Sequence, residues 1–261
     1  MRRDEWRPPP FPNDVATDFH DGPLGRMRSR SVGRRRPDVP EVVLVQGMAV
    51  SDYLLPGLGA LGAWTRAHLV ELPGLSGSGE PPHELDVPEF GRCVAEWVTA
   101  RRPGRVILAG HSSGTQVAAR AAVGHPDVAG VVLAGPTVDP AARGLLRLLV
   151  RWRLDGRREP PGLGESHRPE WRRAGVRRLL HVVLVHLDDP IEEPVGRLEV
   201  PLLVIRGEDD RVSSEAWARR LAAMRPDGRY VQVRGAHTFP WLDPQAWSGP
   251  VRDLAARVGG P

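Results

Sequence analysis

The sequence predicts an α/β fold: a mostly parallel central sheet with helices on both faces, plus a helical insertion between two of its later strands. Three observations predict it. Short apolar runs bounded by proline or glycine recur at residues 41–47, 67–72, 104–110, 128–135 and 201–207, and such runs, without polar alternation, suit strands buried on both faces. Amphipathic helical patterns separate most of them, and alternating strands and helices give a parallel sheet covered on two sides. Residues 136–200 break the rhythm with helical patterns alone.

Taken in order, "MRRDEWRPPPFPN" (1–13) is proline-rich and charged with nothing to bury, and reads as a disordered arm. "VATDFH" and "LGRMRSRSV" then suggest a β-hairpin around an Asp21-Gly22 turn. "EVVLVQG" (41–47) is the first buried strand and "AHLVEL" (67–72) the second, closed by "PGLSGSGEPP". "VPEFGRCVAEWVTARR" (87–102) is an amphipathic helix, "GRVILAG" (104–110) a strand, "SGTQVAARAAVG" a helix and "VAGVVLAG" (128–135) a strand. Strand "PLLVIRG" (201–207), helix "SSEAWARRLAAM" (213–224), strand "RYVQVRG" (229–235) and a closing helix near 245–257 complete the pattern. The core is therefore assigned to 14–135 and 201–261. Residues 136–200 are expected to form a helical lid over the carboxyl ends of the strands, where open α/β sheets place their ligands. No internal repeat stands out at solenoid periods.

Composition narrows the function classes. All 36 basic residues are arginine, against 32 acidic ones, so the net charge is only +4 although the pI reaches 10.3. Arginine does not titrate away, so the pI overstates the charge. The densest basic stretches, 24–36 and 151–178, read as solvated surface, and no nucleic-acid partner is expected. No run approaches a membrane span, so no membrane partner is expected. No apolar segment follows the N-terminal arginines, and the single cysteine, Cys93, cannot form an intrachain disulfide; both point to the cytoplasm. Cys93 itself reads as a small buried apolar residue.

The chemistry concentrates in "LAGHSSGTQVAAR" (108–120), where Gly110-His111-Ser112-Ser113-Gly114 fits G-x-S-x-G between a strand and a helix. That context marks a nucleophile elbow, a strained turn that projects a serine above the sheet. Gly110 and Gly114 are needed where backbone passes too close for a Cβ. Ser112 is then the nucleophile, and Ser113 offers its backbone N–H at the helix start to negative charge. A serine needs a histidine to take its proton and an acid to orient that histidine, in the chain order Ser, acid, His. Asp210 in "VIRGEDDRV" and His237 in "VRGAHTF" meet that order at the ends of later strands. Glu208 and Asp209 sit closer to the strand end, and Asp139 in "GPTVDP" is the rival acid. His111 should point away from the nucleophile; His181 and His186 fall in the lid, and His125 reads as a helix-terminating turn. A second oxyanion donor is expected after the first buried strand, where Gly47 allows the turn and Met48 presents its N–H.

With these residues in view, the chain resembles the α/β-hydrolase-fold family in its bacterial lid-bearing form. The resemblance rests on "VVLVQGM", "ELPGLSGSGEPP", "AGHSSGTQ", "VIRGEDDRV" and "RGAHTF", over about residues 14 to 257. It places the family's triad on Ser112, Asp210 and His237. Two positions depart: Gln46 stands where the family usually has histidine before glycine, and Glu71 replaces the aspartate of D-x-P-G. Glu71 is expected to tie its loop structurally. A serine at the elbow disfavours the epoxide hydrolases and haloalkane dehalogenases of the family, which use aspartate there. The resemblance leaves esterases, thioesterases, amidases and carbon–carbon bond hydrolases of diketones, with non-hydrolytic lyases, cyclases and ligand receptors also represented. For an ester it implies an acyl-enzyme on Ser112, with no metal or organic cofactor.

Two other motifs are set aside. "GLGALG" (57–62) fits G-x-G-x-x-G, but "MAVSDYLLP" separates it from its strand, so it reads as a glycine-rich helical turn. The nine histidines show no metal-ligand spacing. Trp152, Trp171 and "HVVLVHL" are expected to line the underside of the lid, which suggests a largely apolar small-molecule substrate. Substrate identity and oligomeric state are not legible at this level.

Overall fold

The computed structural model describes residues 8–160 and 162–259, so the first seven residues of the expected disordered arm lie outside the described residues. Residues 8–13 form no helix or strand, yet Phe11 sets its ring edge-on to Trp241 at 6.0 Å between centroids. The strands are β1 Ala16–Gly22, β2 Gly25–Val32, β3 Glu41–Val45, β4 Ala67–Glu71, β5 Val106–His111, β6 Val128–Ala134, β7 Leu202–Gly207 and β8 Arg229–Val233. They form one sheet in the order β1-β2-β4-β3-β5-β6-β7-β8. Antiparallel pairing joins β1 to β2 and β2 to β4, and every other pair is parallel. The expected α/β architecture is present.

The pleat explains why the strand sequences lack polar alternation. Val43 and Val45 of β3 face one core cluster with Leu108, Val131 and Val204. Val42 and Leu44 face a second with Ile107, Val132 and Ile205. Each cluster is completed by helices. On the first face lie α2 Val87–Arg101, α3 Gly114–Ala122 and, later in the chain, Glu215–Ala223; on the second lie α1 Leu55–Gly62 and the closing helix Pro244–Val258. The edge strands differ: β1 is largely exposed and β8 only half-buried.

The hairpin turn falls two residues later than expected. Asp21 and Gly22 end β1, Gly22 pairs with Gly25, and Pro23-Leu24 make the turn. Asp21 instead holds Arg26 across the hairpin at 2.6 Å, and Gly25 takes the positive φ of 121°. The reading of residues 24–36 as solvated surface also needs correction. Arg28 grips Glu71 through two hydrogen bonds of 2.6 and 2.8 Å, and Arg30, buried, pairs with Asp52 at 2.7 Å. Glu71 also accepts from the Gly77 N–H at 2.8 Å, so the longer carboxylate does tie its loop.

Between β6 and β7 the chain forms α4 Leu145–Asp155, α5 Leu163–Asp188 and α6 Glu192–Gly196; α7 to α9 follow as Glu215–Ala223, Phe239–Leu242 and Pro244–Val258. Gly175, at φ 75° and ψ 158°, interrupts α5. The elbow helix holds the far end of this insertion: Gln116 Nε2 donates to the carbonyls of His186 and Asp189 at 2.9 and 2.7 Å, and Arg120 pairs with Asp189 at 2.6 Å. No described helix is long and apolar enough to cross a membrane.

Candidate active site

Parallel strands bring the carboxyl ends of β3, β5, β6, β7 and β8 to one rim. The order of connection reverses between β3 and β5, and a crevice opens at such a switch point. Ser112 follows β5 directly with φ at +55°, a conformation strained for an L residue. Crowding enforces it: a Cβ on Gly110 would sit 2.2 Å from the Gly114 carbonyl oxygen, and one on Gly114 2.3 Å from that of Gln46. Only glycine fits either position.

The three residues expected to work together are in contact. His237 Nε2 lies 2.8 Å from Ser112 Oγ, and His237 Nδ1 lies 2.9 Å from Asp210 Oδ2. The other oxygen of Asp210 accepts from the Val212 and Ser213 N–H groups, each at 2.8 Å. All three side chains are buried. Burial opposes a charge on His237, but Asp210 beside it, with Asp155 and Glu159 further off, outweighs that and pushes the imidazole up to about 9. The rival acid is engaged elsewhere. Asp139 accepts from the Ala141 N–H at 2.9 Å and pairs with Arg151 at 2.6 Å. Asp209 pairs with Arg158 at 2.6 Å, and Glu208 is exposed.

The backbone N–H groups of Met48 and Ser113 donate to no group among the described residues. Gly47 is required for a reason the sequence did not disclose: a Cβ there would lie 2.5 Å from the Tyr53 hydroxyl. The positive φ of that turn, 53°, falls on Ala49. Gln46 is fully buried, and neither its amide nitrogen nor its oxygen has a partner among the described residues.

His111 needs amending, because its ring turns into the site. It lies 5.0 Å from the His237 ring between centroids. His111 Nε2 donates to the His237 carbonyl at 2.9 Å, which leaves Nδ1 to accept from the Tyr53 hydroxyl at 2.6 Å. Burial, then the neighbouring His237, holds its pKa well below the usual range, so it stays neutral. Gly135 is a second omission. At φ 56° it ends β6 beneath the imidazole, where a Cβ would come within 3.0 Å of His237.

A cavity of about 180 Å³ opens beside Ser112, walled by Met48, Trp152, Leu163, His167, Trp171 and Val212. Both tryptophans therefore lie where expected. The run 181–187 does not line it; Val182 and Val183 are buried in packing, and Leu184 is exposed. The insertion also contributes polar groups that the sequence did not single out: Asp155 and Glu159 in the cavity wall, and Glu170 behind it. Burial, then Asp155 close by, pushes Glu159 up to about 8. A larger cleft of about 490 Å³ between Arg35, Arg36 and Arg105 lies at the amino ends of the strands, on the opposite rim. Cys93 is a buried free thiol, pushed by burial to about 12. Among the described residues no cluster of His, Cys, Asp or Glu is arranged to hold a metal ion.

A sheet of this topology with a serine on a strained strand-to-helix turn defines the α/β hydrolases. Residues 42–248 match the model of the alpha/beta hydrolase family, and the chain belongs to that family. Among solved structures it is similar to a hydrolase from Pseudomonas aeruginosa PA01, with 23% identity, TM-score 0.73, and 91% of this chain and 97% of that one covered. It is also similar to an esterase from Rhodococcus sp. ECU1013 (21% identity, TM-score 0.74, coverage 94% and 99%). A third is the enol-lactonase from Burkholderia xenovorans LB400 (18% identity, TM-score 0.69, coverage 92% and 100%). At these identities the likeness is one of fold. No curated protein sequence matches the chain.

Proposed function

We propose that this protein is a serine hydrolase that cleaves a carboxylic ester or thioester of a small, largely apolar molecule through an acyl-enzyme on Ser112. One observation carries the reading: the unbroken relay from Ser112 Oγ to His237 Nε2 at 2.8 Å and from His237 Nδ1 to Asp210 Oδ2 at 2.9 Å. Ser112 Oγ attacks the acyl carbon as His237 Nε2 takes its proton, and Asp210 stabilises the imidazolium. The oxygen of the tetrahedral adduct takes up the Met48 and Ser113 N–H groups. Collapse expels the alcohol or thiol, protonated by His237. Water then attacks the acyl-enzyme with His237 as base, releasing the acid and restoring Ser112.

The cavity supports a small acyl group. Its volume of about 180 Å³ is close to the ~150 Å³ of an apolar cavity that holds benzene. Acyl groups of about four to six carbons fill such a space, and longer chains extend beyond it. The test is hydrolysis of p-nitrophenyl esters from acetate to laurate. Wild type should peak at the shorter acyl groups, and Ser112→Ala and His237→Ala should each lose at least about 10⁴-fold in kcat. Turnover by either variant within tenfold of wild type overturns the assignment.

A further inference from the structure

We infer that three carboxylates of the helical insertion, Asp155, Glu159 and Glu170, are positioning residues that set the backbone of the loops carrying the acid, the base and the oxyanion donor. The inference rests on the serine-hydrolase reading above. The insertion covers the site, and through these groups it also assembles it.

Their burial is the first observation. Asp155, Glu159 and Glu170 are 3%, 8% and 3% exposed, whereas carboxylates are rarely buried without strong partners. Their partners here are backbone N–H groups of the catalytic loops. Glu170 accepts from the Ser51 N–H at 3.0 Å, the Asp52 N–H at 2.9 Å and the Ser51 hydroxyl at 2.8 Å. The next residue, Trp171, donates from Nε1 to the Met48 carbonyl at 3.1 Å. Two consecutive residues of α5 thus hold both ends of the loop whose Met48 N–H faces the substrate oxygen. From the core side, Glu71 shares the Ser51 hydroxyl at 3.2 Å, so the loop is gripped from two elements.

The end of α4 and the turn after it do the same for the other two loops. Asp155 Oδ1 accepts from the Arg211 N–H at 2.8 Å. Arg211 begins the turn whose next two N–H groups orient Asp210. The second Asp155 oxygen faces the His237 N–H at 3.4 Å, and Glu159 accepts from the Thr238 N–H at 2.8 Å and from the Thr238 hydroxyl. Burial and the nearby Asp155 keep Glu159 protonated at neutral pH. Carboxyl groups are well suited to this task, because each has two acceptor oxygens and can hold more than one backbone N–H. A lid that swung clear would leave at least five loop donors without acceptors.

A merely structural role would lower stability and leave the chemistry of the folded enzyme alone, so the test reads chemistry. The probe is a fluorophosphonate, whose attack by Ser112 needs nucleophile, base and oxyanion donors. Its limiting rate and its dissociation constant are measured across pH for wild type, Glu170→Ala, Glu170→Gln, Trp171→Phe and Asp155→Asn. Glu170→Ala should lower the limiting rate about 100-fold, the scale of losing an oxyanion donor, with the dissociation constant changed less than about threefold. Glu170→Gln, which keeps one acceptor oxygen, should recover part of that loss, and Trp171→Phe should fall in the same direction. The charged and titratable groups around His237 are Asp210, Asp155, Glu159, His111 and His167. Removing one acid in Asp155→Asn should therefore move the acid limb of the profile down by about half a unit. If Glu170→Ala does not fold, Trp171→Phe and Asp155→Asn decide the matter. Folded variants with wild-type rates and pH profile overturn the inference. Wild type that is not phosphonylated at Ser112 overturns the serine-hydrolase reading instead.

Discussion

At Ser112 the chain holds a φ of +55°, at a cost of about 1–3 kcal/mol, and the cost is tolerated because two glycines leave bare backbone on either side. Gly114→Ala places a methyl group 2.3 Å from the Gln46 oxygen. The substitution should destabilise the protein by at least about 3 kcal/mol, since overpacking here meets backbone and not a movable side chain; urea unfolding measures it. His237, pushed up to about 9, must lose its proton before it can act as base. The acid limb of kcat/KM should accordingly lie above the ordinary 6.5 of histidine, and Asp210→Asn should lower kcat by about 10⁴-fold. A limb at or below that ordinary value contradicts the arrangement. Ser112, Asp210 and His237 were legible because each follows a strand and the chemistry fixes their order. Glu170 was not, because what buries it is Ser51, 119 residues away, and no local pattern distinguishes a buried carboxylate from a solvated one.

Among the elements, α2 starts from a complete capping box: Asp86 accepts from the Glu89 N–H at 2.8 Å and Glu89 accepts in return from the Asp86 N–H at 3.1 Å. Asp86→Ala should cost about 1 kcal/mol in urea unfolding and leave phosphonylation of Ser112 unchanged, since the capping bonds of Asp86 involve no residue of the cavity wall. The buried parallel strands were the most readable part of the sequence, because β3, β5, β6 and β7 are covered on both faces and have no polar side to blur the pattern. The helical insertion was readable as helical but not in its detail. Nothing local announces that Gly175 breaks α5, or that residues 182 and 183 pack inward while the cavity is walled by Trp152 and Trp171. The hairpin turn moved because Asp21 was free to pair with Arg26, leaving Pro23 and Leu24 to reverse the chain.

For the whole molecule, the two site groups whose pKa values are raised act on stability with the same sign, while His111 and His167, held low by burial, oppose them below 6.5. His237 binds its proton more tightly when folded, with a pKa of about 9 against 6.5, so its contribution is complete below 6.5 and is lost as pH rises through 9. Glu159 is also raised, to about 8 from 4.5, so the folded state keeps a proton that the unfolded chain releases across that window. Both raised groups make the folded state less stable as pH climbs from 7 to 9, above the range in which the lowered histidines titrate, and urea midpoints should fall over that range; in Glu159→Gln the slope should be shallower. The arginine-rich composition follows the same logic at larger scale. Arginines are drawn into pairs: Arg28 with Glu71 joins β2 to β4, Arg120 with Asp189 joins the insertion to the core, and Arg151 with Asp139 closes the insertion on itself. The proposed hydrolysis turns on Ser112 being an activated nucleophile. Incubation with a fluorophosphonate followed by peptide mass mapping tests it most directly. One adduct per chain is expected, on the peptide containing Ser112, with none in His237→Ala over the same time; an unlabelled wild type, or label on another residue, overturns the assignment.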